Sequence, residues 1–458
     1  MTSRHWLDKF WGRFWGRASR RPTRRRRTGF VRPRIETLEE RVVLAVACND
    51  LFAFTVGTNT WKIPYCHNFD LNAPNPDVTR VVIAVHGVNR NAPDYYRYAL
   101  NAATADGVVD HTLIVAPQFL NEADIVENQL RNDVLYWNAP WRDGARSSST
   151  TQHRRADRVS SYEVLDDLLT HIADSGNFPR LDTVVVSGHS AGGQFAQRYA
   201  ATNTVEAHLT CDDGLSIRYV PMNPSSYLYL NANRWDPITQ TFTVLDGHAG
   251  YNNYPYGLDN VSSPEYYYIA NQDPDTIRAQ YAQRQVSYLL GDQDIDRNDP
   301  NLDRSDAADV QGYVRFERGN IYFAYLQDYY GPDILNHQVR ETVPGVAHEG
   351  NRMYASAQAA VWIFGVAPSA PVPHLGSSHA LAAVPADAAA MAASPGQRGA
   401  FGARAPGLLA PADSKGVVLP AQALPVAAQG PLASPKAVHD DRIIDFIFTD
   451  PSAIEPAL

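Results

Sequence analysis

Between residues 50 and 365 short apolar runs alternate with longer amphipathic segments. Residues 51–56 and 61–64 open the series. Further runs at 81–85, 113–116, 183–187, 217–221, 286–290 and 339–343 are rich in Val, Ile, Leu and Tyr. Runs this short and this apolar read as strands buried on both faces. Residues 160–173, 191–201, 314–329 and 352–364 instead repeat their apolar positions at helical spacing. Strands alternating with helices predict an α/β fold with a doubly wound, mostly parallel sheet. One core of this kind commonly spans about 250–300 residues, so residues 46–365 are expected to form a single domain. Its substrate site is expected at the carboxyl ends of the strands.

Charge separates the two ends of the chain from this middle. Residues 1–45 hold thirteen Lys/Arg against four acids, so a net charge of −9 leaves about −18 on the rest. An acidic body lacks the basic face that nucleic acid requires, and no nucleic-acid partner is expected. No run of about eighteen apolar residues suggests a transmembrane helix. Near the start, Trp6, Phe10, Trp11, Phe14 and Trp15 fall at helical spacing among Lys9, Arg13 and Arg17, a pattern suited to an anionic membrane surface. Residues 366–458 form a tail whose first part collapses to Ala, Pro, Gly and Ser, too little apolar surface to offset ordering entropy. Cys48, Cys66 and Cys211 form no CxxC or zinc spacing. Their odd number favours three unpaired thiols; export is the alternative in which Cys48 and Cys66 pair. No metal or cofactor is expected.

The chemistry concentrates at Gly188-His189-Ser190-Ala191-Gly192, which follows a buried run and precedes an Ala-rich helical segment. G-x-S-x-G in that setting places serine on a tight strand-to-helix turn, with small residues needed on either side. The Ser190 hydroxyl then stands at the positive end of the next helix, and the Ala191 amide is available to a developing oxyanion. A second element is Val85-His86-Gly87-Val88-Asn89-Arg90-Asn91 at a strand end. A base and an acid should come later in the chain. His348, in Val343-Pro-Gly-Val-Ala-His348, follows the last strand run; His248 comes too early and His337 precedes that run. Gly291-Asp292-Gln293-Asp294 ends the preceding strand run. Asp292, Asp294, Asp296, Asn298 and Asp303 also mimic a calcium loop, but Arg297 stands where such a loop needs Gly.

These features resemble the α/β-hydrolase superfamily, within it a secreted bacterial and fungal esterase- or lipase-like group. Further shared phrases are His86-Gly87 with Arg90, Asn91 and Tyr95, Asn223-Pro224-Ser225-Ser226-Tyr227, Tyr254-Pro255-Tyr256-Gly257 and Tyr288-Leu289-Leu290-Gly291. The resemblance covers roughly residues 60–365. It implies Ser190 as nucleophile, His348 as base and Asp294 as orienting acid, the last from a G-x-x-D spacing, with Asp292 in reserve. It also implies an oxyanion hole from the Ala191 amide and the Val88 amide, with Asn89 second, and gives His86 a structural part. Residues 224–275 fall where lids occur. Residues 118–148, with Trp137 and Trp141, should border the same mouth, their indoles chiefly packing the loop. Arg34 to Ala45 resembles the LEPR-VLLS-type leader of many planctomycete surface and secreted proteins, with Glu40 where that motif carries Pro, so residues 1–45 read as a targeting leader. The expected function is hydrolysis of a small-molecule or lipid ester outside the cytoplasm, through an acyl-enzyme. Amide, peptide or thioester cleavage and acyl transfer use the same residues, and a non-catalytic surface binding protein would keep the fold without the chemistry.

Overall fold

The computed structural model describes residues 50–367, and the readings made for the leader and the tail lie outside the described residues. Its strands are β1 (Asp50–Val56), β2 (Asn59–His67), β3 (Arg80–Val85), β4 (Thr112–Pro117), β5 (Thr183–His189), β6 (Ser216–Met222), β7 (Asn233–Asp236), β8 (Thr241–Val244), β9 (Val286–Gly291) and β10 (Gln338–Val343). The helices are α1 (Ala92–Ala105), α2 (Glu122–Glu127), α3 (Ser161–Asp174), α4 (Ala191–Thr202), α5 (Val205–Cys211), α6 (Tyr267–Ala270), α7 (Pro274–Tyr281), α8 (Asp306–Asp309), α9 (Arg315–Tyr330), α10 (Gly350–Tyr354) and α11 (Ala357–Trp362).

Eight strands form one sheet in the order β1-β2-β4-β3-β5-β6-β9-β10. β1 and β2 are antiparallel additions at one edge, and β4, β3, β5, β6, β9 and β10 run parallel. Alternate side chains of each central strand enter different cores, as the period of two requires. Val81, Ile83 and Val85 of β3 and Val184 and Val186 of β5 join the core that contains residues of α3, α4 and α9. Val82, Ala84 and Val185 join the opposite core, with residues of α1, α10 and α11. The sheet is therefore doubly wound.

Local chemistry sets several boundaries. Ser160 caps α3 by accepting the Tyr162 amide, and Asp273 caps α7 by accepting that of Thr276. The single helix expected over residues 352–364 is divided, because Ser356 accepts the Ala359 amide and starts α11 afresh after α10. The segment expected as a lid-like insert begins inside the core. Tyr227, Leu228, Tyr229 and Leu230 are fully buried, and Tyr227 stacks on Tyr322 of α9 with ring centroids 4.5 Å apart. It then forms the β7–β8 hairpin and α6. No helix among the described residues is long and apolar enough to cross a membrane. The expectation of three unpaired thiols is corrected: Cys66 is disulfide-bonded, and Cys211 is free and exposed.

Candidate active site

The turn after β5 is forced by its contacts. Ser190 has φ 60° and ψ −119°, and its amide donates to the Met222 carbonyl at 2.9 Å. This left-handed backbone costs energy for a residue with a side chain, and such strain gathers at functional sites. Small neighbours make it feasible. A Cβ on Gly188 would lie 2.4 Å from the Gly192 backbone, and one on Gly192 would lie 2.2 Å from the Val85 carbonyl oxygen. The first turn of α4 is thereby seated on the end of β3, where the His86–Arg90 turn begins. Ala191 is the first helical residue, so its amide has no intrahelical acceptor. Val88 sits in the turn closed by the Arg90 amide on the Gly87 carbonyl, and is 40% exposed.

Ser190, His348 and Asp294 lie in one hydrogen-bonded line. Ser190 Oγ is 2.9 Å from His348 Nε2, and His348 Nδ1 is 2.7 Å from Asp294 Oδ2. A carboxylate only accepts, so Nδ1 carries the proton and Nε2 offers its lone pair to the serine hydroxyl. Asp294 is buried, and Arg315 Nη1 lies 3.3 Å from its other oxygen. Asp292 faces elsewhere, accepting the Gly345 amide at 2.7 Å. His248 is exposed near Tyr251, and His337 lies beside Gln285 before β10, at the other end of that strand from His348. The calcium-loop pattern disperses as well: Asp296 accepts the Asn298 amide, and Asp303 accepts the Ser305 amide and the Tyr256 hydroxyl.

Two further histidines belong to the turns that flank the site. His86 Nε2 accepts the Phe119 amide at 3.0 Å, which fixes the proton on Nδ1, and Nδ1 donates to the Gly87 carbonyl. Burial pushes its pKa down to about 3, so the ring stays neutral. It packs against Trp141 with centroids 4.3 Å apart. Trp137 and Trp141 are themselves buried against Phe119, so both indoles pack the long loop. His189, in the middle of the G-x-S-x-G turn, lies 4.5 Å from the His348 ring between centroids, with Tyr95 Oη 3.3 Å from its Nδ1. Burial first, then the neighbouring His348 and Arg315, hold its pKa well below the usual imidazole value.

Arg315 carries no local signal in the sequence, and Asn223 carries none beyond its place in a shared phrase. Arg315 stood in a predicted helix as one polar position among many. Its partners, buried Asp294 and half-buried Asp299, both at 3.3 Å, lie in a loop that no spacing rule links to it.

Sheet order, strand-to-helix serine turn and the late histidine loop define an α/β-hydrolase fold. No family model matches the chain, and no curated protein does. Among solved structures it is similar to a poly(3-hydroxybutyrate) depolymerase from Bordetella parapertussis, at 22% identity over 70% of this chain and 92% of that one, TM-score 0.46. It is also similar to poly(aspartic acid) hydrolase-1 from Sphingomonas sp. KT-1, at 22% identity over 68% and 98%, TM-score 0.45. A third is an S-formylglutathione hydrolase from Agrobacterium tumefaciens, at 10% identity over 67% and 90%, TM-score 0.36.

Proposed function

We propose that the protein is a serine hydrolase that cleaves carboxylic esters. The 2.9 Å contact between Ser190 Oγ and His348 Nε2, made across 158 residues of sequence, carries this reading. His348 takes the hydroxyl proton as Ser190 Oγ attacks the ester carbonyl carbon. Asp294 holds the imidazole in the productive tautomer and stabilises its cation, and Arg315 balances the Asp294 charge. The tetrahedral oxyanion is met by the Ala191 and Val88 amides. The carbonyl re-forms, the bond to the leaving alkoxide breaks, and His348 Nε2–H protonates that oxygen. Water then attacks the acyl-enzyme, giving its proton to His348. Collapse releases the acid and returns the proton to Ser190. A fluorophosphonate should label the protein, and Ser190→Ala should abolish labelling and turnover of chromogenic esters. His348→Ala should lower turnover by at least about 10³-fold. Labelling that persists in Ser190→Ala sinks the assignment of the nucleophile. A protein inert to the probe and to a panel of esters, amides and thioesters would instead be a binding protein on this fold.

We further propose that it works outside the cytoplasm. A disulfide at Cys66 supports this, because such bonds persist in oxidising compartments. Non-reducing peptide mapping of protein from its native host should link Cys66 to Cys48 and leave Cys211 open to alkylation. A fully reduced protein confined to the cytosolic fraction would reject the proposal.

A further inference from the structure

We infer that Asn223 is the residue that locks the Asp294 and His348 loops to the Ser190 turn. The inference rests on the serine-hydrolase reading above. It starts from where the strands put this residue. β5 and β6 run parallel with His189 opposite Met222, so the end of β6 lies beside the serine turn, and the Met222 carbonyl accepts the Ser190 amide at 2.9 Å. The next residue, Asn223, reaches the other way. Its own amide donates to the Leu289 carbonyl at 3.1 Å, and its side-chain Oδ1 accepts the Gly291 amide at 2.8 Å, three residues before Asp294. Its Nδ2 donates to the Ala347 carbonyl at 3.2 Å, one residue before His348. One buried side chain therefore touches the acid loop and the histidine loop while its neighbour holds the nucleophile.

The residue type follows from three simultaneous demands. Gly291 N–H needs an acceptor, and the Ala347 carbonyl, which already takes the Glu349 amide at 3.0 Å, has a second lone pair for a donor, so a carboxamide fits in one orientation. The backbone at Asn223 has φ 44°, a region that Asn enters more readily than most side chains. A Gln would satisfy the chemistry but is one methylene longer and less suited to this backbone. Asp would set a carboxylate oxygen against the Ala347 carbonyl.

The two loops also bind each other without Asn223. The Asp292 amide donates to the Val343 carbonyl, the Gln293 amide to the Val346 carbonyl, and the Gly345 amide to Asp292 Oδ1. Losing the Asn223 side chain thus leaves the Asp294–His348 pair assembled but frees it to shift as a unit relative to Ser190. A displacement of about 1 Å from productive geometry costs on the order of 10²-fold in rate. The effect falls on the chemical step, and Asn223 is a positioning residue with no contact to the reacting atoms.

Asn223→Gly keeps the left-handed backbone and removes both side-chain bonds; Asn223→Asp keeps the acceptor and inverts the donor. On an ester that the wild type cleaves, both are expected to lower kcat about 10- to 100-fold with KM within about threefold. Fluorophosphonate inactivation should slow in parallel, and the thermal midpoint should stay within a few degrees. The downfield proton resonance of His348 Nδ1–H should shift or broaden by exchange in both variants. Wild-type kcat in Asn223→Gly overturns the proposal, as does a loss that tracks the fraction unfolded. The resonance separates this failure from that of the hydrolase reading. If the wild type is inert to the probe and to every ester, the hydrolase reading fails alone, and an unchanged resonance in Asn223→Gly then rejects the positioning role as well.

Discussion

Arg315 Nη1 lies 3.3 Å from Asp294 Oδ1, on the carboxylate oxygen that His348 does not use, and both side chains are almost wholly buried. The second arm of the same guanidinium reaches Asp299, whose pKa its charge and hydrogen bond pull below the ordinary carboxylate value against the opposing effect of burial. A buried ion pair adds little net stability when replaced as a unit, but removing one partner strands the other charge in a medium that solvates it poorly. Arg315→Met is therefore expected to destabilise the fold by about 3 kcal/mol or more. Arg315→Lys keeps the charge but loses the planar fork, and should fall between the two. Urea unfolding of the three proteins at pH 7 checks this order. Equal midpoints for Met and wild type would mean that the pair is not what holds Asp294.

The serine turn makes a second, steric prediction. Gly192 leaves no room for a methyl group, since its Cβ would sit 2.2 Å from the Val85 carbonyl oxygen and 2.8 Å from that of His86. Backbone on both sides is fixed by the sheet and the helix, so α4 must lift away from β3. Gly192→Ala should cost about 3 kcal/mol, at the upper end of overpacking penalties. The soluble fraction should react with fluorophosphonate more slowly than wild type. A thermal midpoint and a labelling rate both equal to wild type would show that the turn relaxes freely.

The strands were legible because most are covered on two faces and spell nearly continuous apolar runs, as at Val81–Val85 and Thr183–Ser187. Helix α1 offers less contrast: its buried face is Ala92, Tyr95, Ala99, Ala102 and Ala103, mostly small residues that let it approach the sheet. The β7–β8 hairpin is written in Asn, Asp and Thr, and Trp235 against Phe242 is its main apolar contact. Ser190 was legible because the turn imposes glycines beside it, and His348 and Asp294 because each follows a strand run in chain order. Asn223 and Arg315 carry no such local signature. Their partners are backbone amides and carboxylates that only folding brings near, and a buried Arg is spelled like a surface one.

Acid dependence supplies the last prediction, from two groups with opposite signs, half-buried Asp166 and fully buried His86. Asp166 on α3 accepts the hydroxyls of Tyr199 and Tyr268. Burial outweighs those hydrogen bonds, helped by the charges of Asp167 and Glu163, and lifts its pKa to about 7. A group raised above its unfolded value of about 3.9 contributes stability that is present below that value and lost as pH rises to 7. His86 is depressed to about 3 against an unfolded value of about 6.5. Its contribution is present above 6.5 and lost as pH falls, because only the unfolded chain takes up the proton. Between about pH 4 and 6.5 the two slopes, each up to about 1.4 kcal/mol per unit, oppose one another. Asp166→Asn removes the first and exposes the second. Its stability relative to wild type should therefore climb from pH 4 to 7 and level off above, whatever fixed cost the altered tyrosine bonds add. Urea unfolding in steps from pH 4 to 8 measures that difference directly, and a constant offset across the range would show that Asp166 stays ionised in the folded protein.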